Sequence, residues 1–131
     1  MTAMDGPPTR RARALGAALA LLGVLTAAGL VDGHALLSRS DPPAASTLRV
    51  APGEVRLWFT ESLEPTFSAA HLVDGARRRV DAAVGRVDPL DAALLRMTLP
   101  ALAAGTYTVV YRVVSVDSHV TSGELSFRIV P

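Results

Sequence analysis

At 131 residues, half of them hydrophobic, the chain has room for one domain and too much apolar content to be disordered. A formal net charge of +1 leaves no basic excess to neutralise phosphates, which excludes nucleic-acid binding driven by charge. The absence of cysteine removes disulfide frameworks and thiolate metal sites together.

The first element is an uncharged run at residues 14–31, ALGAALALLGVLTAAGLV, preceded by Arg10, Arg11 and Arg13 and followed by Asp32. A basic segment, an apolar segment and then small residues read as an export signal, expected to span 1–33. An uncleaved membrane anchor is the alternative, because the run has about the minimum length that crosses a bilayer; its Ala and Gly content weakens that reading. Cleavage after Gly33 places Val31 and Gly33 at the two small-residue positions and makes His34 the first residue of a mature domain, 34–131. That domain carries ten arginines against ten carboxylates and no lysine, so its net charge is zero. A cut after Ala35 discards His34, and retention as an anchor leaves its amine in a peptide bond.

Beyond His34 the apolar repeat is short and the punctuation frequent. Strands are expected at Ala35 to Leu37, at Val55 to Phe59, at Phe67 to Val73 and at Ala76 to Val80, the last two joined by a hairpin turn at Asp74-Gly75. Further strands follow at Leu94 to Leu99, at Tyr107 to Val113 and at Leu125 to Ile129, while Leu90 to Leu95 has room for one helical turn. Pro42-Pro43, Pro52-Gly53 and Asp88-Pro89 mark loops. Period-two alternation places Tyr107, Val109, Tyr111 and Val113 on one face, and Leu125, Phe127 and Ile129 on another. About seven short strands in so small a domain predict an all-β, immunoglobulin-like Greek-key sandwich or barrel. Met97 and Trp58 are expected in packing, His71 as a structural strand residue, and Arg77, Arg78 and Arg79 as a solvated edge that discourages aggregation.

The chemistry concentrates at the two ends of the mature domain. SVDSHVTSG, residues 115–123, places Asp117 and His119 two positions apart in a chain with three histidines. If the stretch is extended, both side chains leave one face and converge on one small object. A metal ion is one such object; a charge-paired imidazole on a solvated turn is the other reading. At the opposite end, a free amine on His34 and that residue's own Nδ1 close a chelate ring around one metal. Two nitrogens from His34, one from His119 and an oxygen from Asp117 fill four equatorial positions, a donor set that suits copper(II). Glu61 and Glu64 have the residue types of an acid/base pair, but nothing beside them points to a substrate.

HALLSRSDPPAASTL at 34–48, VRLWFTESLEP at 55–65 and SVDSHVTSGELSFRIV at 115–130 together resemble the CopC family of periplasmic copper-resistance proteins, over essentially the whole mature domain. The resemblance implies a Greek-key β-barrel and copper(II) ligands at His34, Asp117 and His119, with Glu61 near the site. It implies a non-enzymatic protein of the periplasm that sequesters copper or hands it on, with a membrane copper transporter of the CopD kind as its partner class. Two departures stand out. Ser118 occupies the position where the family often has glycine, and Met97 is the sole methionine left after processing, so copper(I) binding is not expected. Two other functions compete: a copper oxygenase built on an amino-terminal histidine, and a metal-free immunoglobulin-like assembly module. An equatorial aspartate argues against the oxygenase, because it fills the position where oxygen must bind.

Overall fold

The computed structural model describes residues 34–131; the expected export signal, 1–33, lies outside the described residues. Eight strands follow in chain order: β1 (Leu37–Asp41), β2 (Ser46–Leu48), β3 (Glu54–Phe59), β4 (Ala69–Val73), β5 (Arg86–Asp88), β6 (Asp91–Thr98), β7 (Gly105–Val114) and β8 (Val120–Ile129). A 3-10 turn at Pro65–Phe67 precedes β4. The strands form two four-stranded sheets, ordered β1-β3-β6-β5 and β2-β8-β7-β4. Neighbours in space are mostly not neighbours in sequence, so the chain crosses repeatedly from one sheet to the other, and the all-β sandwich is the fold class expected. Among the described residues, no helix is long and apolar enough to cross a membrane.

Alternation builds the core. Val55, Leu57 and Phe59 of β3, Leu95 and Met97 of β6, Tyr107 to Val113 at every second residue of β7, and Leu125, Phe127 and Ile129 of β8 are all buried between the sheets. Each such aliphatic side chain is worth about 1.5–3 kcal/mol relative to exposure, set against the entropy of ordering the chain. Tyr107 packs on Phe127 and donates its phenolic hydrogen bond to the Ala103 carbonyl at 2.7 Å, which closes the corner leading into β7. Tyr111 sits edge-on to Phe59, tying the two sheets together.

The β7–β8 hairpin is the longest pairing, with ten residues of each strand in register from Gly105↔Ile129 to Val114↔Val120. Tyr111 lies opposite Gly123, and its ring covers the space that a Cβ on Gly123 would take. Only glycine leaves that space open. The hairpin is thus a stiff arm whose far tip is the segment Ser115 to His119.

Several expectations on the strands are corrected. The segment expected at Ala35 to Leu37 is a strand only from Leu37 onward, and the one expected from Phe67 starts at Ala69 because Pro65–Phe67 make a 3-10 turn. Ala76 to Val80 is not a strand. Arg77 adopts a left-handed φ of 63°, which breaks the ladder and leaves one isolated bridge, Val73↔Arg79. The helical turn expected at Leu90 to Leu95 is instead the start of β6, paired along β3 and β5. The short strands β2 and β5 were not expected; each has three residues, too few for a period to show.

Candidate metal centre

His34 reaches the site from the first sheet. Ala35 is fully buried, which pins the segment to the core and turns its neighbours outward. Leu36 donates its N–H to Thr60 Oγ1 at 2.9 Å and accepts the Thr60 N–H at 2.8 Å, so the segment continues along the end of β3. His34 therefore stands at one end of the sandwich, half-buried.

Asp117 and His119 reach the same end from the second sheet, on the tip of the β7–β8 hairpin. Ser115 N–H bonds to the His119 carbonyl at 2.9 Å, and Ser118 N–H to the Ser115 carbonyl at 2.8 Å. Ser118 takes a left-handed φ of 74°. The two side chains converge through this tight turn, not through the period-two geometry of an extended strand. The tip is also stitched to the loop after β3: Leu63 and Ser115 form a bridge, Val116 N–H bonds to the Ser62 carbonyl at 3.0 Å, and Glu64 N–H to the Val114 carbonyl at 2.7 Å. Ser68, fully buried, accepts the Val114 N–H at 3.0 Å. These bonds fix the root of the turn while its side chains stay open.

The result is a meeting of the two sheets. The His34 and His119 rings lie 4.8 Å apart between centroids, tilted by 54°. His119 Nδ1 is 3.1 Å from Asp117 Oδ1, and both side chains are about half exposed. The Ser115 hydroxyl donates to the same Asp117 oxygen. The hydrogen bond from Ser115, and next the one from His119, hold the Asp117 carboxyl below its ordinary range. Because Asp117 Oδ1 faces Nδ1 of His119, the proton of that ring is assigned to Nδ1 in this arrangement.

This donor set is two imidazoles and a carboxylate, with no sulfur. It fits a borderline divalent ion with a preference for nitrogen. Among the described residues, no three histidine, aspartate or glutamate side chains are already arranged as a metal cluster; the two rings face each other, and Asp117 is engaged by its neighbours. Binding an ion here requires side-chain rotation on fixed backbone. Glu61 is half-buried on the loop after β3, and no hydrogen bond or ion pair among the described residues joins it to His34, Asp117 or His119. His71 pairs with Val110 along β4, away from the hairpin tip, and Met97 is in the core. Ser115 is the participant that its sequence context does not single out. Its signal is the spacing S-x-D-x-H, which places a hydroxyl within reach of a carboxylate two residues on.

Residues 37–130 match the CopC domain family model. The chain is 34% identical over 119 residues to Protein YobA of Escherichia coli (strain K12), covering 90% of this chain and 96% of that one. It is 35% identical over 115 residues to Copper resistance protein C of Pseudomonas syringae pv. tomato, covering 82% and 88%. The crystal structure of CopC from Methylosinus trichosporium OB3b superposes with a TM-score of 0.70 at 28% identity, over 75% of this chain and 95% of that one. PcoC, a methionine-rich copper resistance protein from Escherichia coli, superposes with a TM-score of 0.62 at 32% identity, over 74% and 99%. With a family model spanning nearly all the described residues and relatives matched along most of their length, the chain belongs to the CopC family.

Proposed function

We propose that the protein binds copper(II) as cargo outside the cytoplasm and sequesters it or passes it on, without catalysing a reaction. The observation that carries the reading is the 4.8 Å approach of the His34 ring to the His119 ring, with Asp117 hydrogen-bonded beside them. Two segments from opposite ends of the domain and from different sheets have no packing reason to bring two half-exposed imidazoles together. Shared ligation supplies one. Copper(II) is the favoured ion because amine, imidazole and carboxylate donors without thiolate match its tetragonal field, and the copper-resistance relative and the methionine-rich structural neighbour deal with the same element by name.

In this reading, removal of residues 1–33 frees the amine of His34. That amine, His34 Nδ1, His119 and Asp117 hold the ion, with Glu61 as a neighbour on the adjoining loop. The binding groups must be deprotonated, so loading releases protons and acid releases copper. A membrane copper transporter is the class of partner that such a carrier serves. The test is to purify the exported protein, identify its first residue and titrate it with copper(II) under electron paramagnetic resonance. One tetragonal, nitrogen-rich site per chain is expected. A chain that starts at His34 and takes up no copper stoichiometrically overturns the proposal.

A further inference from the structure

We propose that Ser115 is a positioning residue for the site: its buried hydroxyl fixes one oxygen of Asp117 and so presents the other to the cargo. The inference rests on the copper(II) reading and adds a residue that the ligand set does not contain.

Ser68 and Ser115 are the two buried polar residues among the described residues, and they stand at the root of the same hairpin tip. Ser68 is accounted for by its bonds to Val114. Ser115 is 1% exposed, and its hydroxyl points into the turn. It donates to Asp117 Oδ1 and accepts the His119 N–H at 3.2 Å, so one oxygen atom touches both residues of the D-x-H pair.

The hydroxyl meets the N–H and the carbonyl of His119, but the turn also has closing bonds that do not use it. These bonds run from the Ser115 N–H to the His119 carbonyl and from the Ser118 N–H to the Ser115 carbonyl, and any residue supplies those backbone groups. What the hydroxyl adds is orientation. Asp117 is about half exposed on the turn, where an unrestrained carboxylate samples several rotamers. With Oδ1 held by the Ser115 hydroxyl, the carboxylate is restricted to one orientation. Ligating carboxylates are in general oriented by hydrogen bonds from outer groups, and here the buried hydroxyl supplies one.

The experiment compares copper(II) titrations of the exported, processed protein and of S115A, S115T, D117A and the S115A/D117A double variant, with paramagnetic resonance and melting temperature recorded for each. Losses of outer-shell partners commonly cost roughly 10- to 100-fold in metal affinity, and S115A is expected at the lower end of that range with an altered copper spectrum. S115T, which keeps the hydroxyl, is expected to return the wild-type spectrum. In the D117A background, S115A is expected to cause no further loss, because the hydroxyl acts through Asp117. Wild-type affinity and spectrum in folded S115A overturn the proposal, as does an equal loss in both backgrounds. Failure of the unmutated protein to bind copper is a different result, which overturns the reading of function instead.

Discussion

Two turns in this molecule share a design and differ in outcome. The turn after β4 and the turn between β7 and β8 each contain an aspartate and a non-glycine residue in the left-handed region, Arg77 at φ 63° and Ser118 at φ 74°. In the first turn, every charge is paired. Asp74 accepts N–H groups of Ala76 and Arg78 at 2.9 Å and pairs with the Arg78 guanidinium at 3.2 Å; Arg77 forks onto Glu124 at 2.8 and 3.2 Å; Arg79 pairs with Asp81 at 2.8 Å. In the second turn, Asp117 satisfies Ser115 and one nitrogen of His119. The His119 ring stands 4.8 Å from the His34 ring, which comes from a different sheet. A charge cluster whose members are all paired is a structural turn; one that stands against an imidazole from another sheet has the arrangement on which the copper(II) reading rests.

Four substitutions sharpen that contrast, taken from the largest expected effect to the smallest. His119→Ala is expected to lower copper(II) affinity by about 100-fold or more while moving the stability of the metal-free protein by less than about 0.5 kcal/mol, as for other surface changes; equilibrium titration and denaturant unfolding measure the two. Gly123→Ala forces a methyl group into the Tyr111 ring and is expected to destabilise the fold by about 1–3 kcal/mol. Its denaturation midpoint should fall, and copper affinity should follow only as far as the folded fraction does. Asp74→Ala reverses the pattern of His119→Ala: a lower melting temperature and unchanged copper affinity, since nothing in that turn faces the site. Ser118→Gly relieves the left-handed strain of an L-residue, about 1 kcal/mol, against the added flexibility of glycine in the unfolded chain, so a gain of a few tenths of a kcal/mol at most is expected, with the copper spectrum retained.

Acid separates the two turns in a second way. Asp74 and Glu124 are held below the usual carboxylate range, Asp74 chiefly by the Arg78 backbone N–H and Glu124 chiefly by the Arg77 guanidinium. Asp81 is lowered too, although burial pushes it up, because Arg79 and the Leu72 N–H outweigh that penalty. A carboxylate depressed on folding stabilises the native state above its unfolded value, and that stability is lost as pH falls through the folded value. The arginine turn is therefore expected to hold until pH drops below the ordinary carboxylate range of about 4. In the copper(II) reading, acid also releases the ion, because the groups that bind it must be deprotonated. A pH series is expected to show metal release while the fold is intact. Release and unfolding at one and the same pH contradict this.

β7, the second half of β8 and the core face of β3 were legible in the sequence because their alternation is regular and their inward residues are large; Val120 to Glu124 of β8 was missed because none of those residues is buried. Ala76 to Val80 misled because a left-handed Arg77 is invisible to hydrophobic pattern, and the start of β6 misled because its first residues, Asp91 to Ala93, are exposed or half-exposed at the sheet's end. His34, Asp117 and His119 were legible as neighbours only when the expected cut after Gly33 was considered together with the D-x-H spacing. The reason they meet was not. Convergence through a hairpin tip depends on a register of ten paired residues and on backbone bonds to Ser62 and Val114, none of which a local motif encodes. Ser115 escaped for the same cause: a serine gains its role from burial, and burial is a property of the fold.

The central claim is that a free amine on His34 joins ligands on the β7–β8 tip. It is tested most directly by titrating copper(II) into two proteins, one beginning at His34 and one retaining Gly33 before it, under paramagnetic resonance. The account predicts a tight, nitrogen-rich tetragonal site in the first, and in the second a weaker site with its nitrogen coupling changed. Identical affinities and spectra for the two proteins would contradict it.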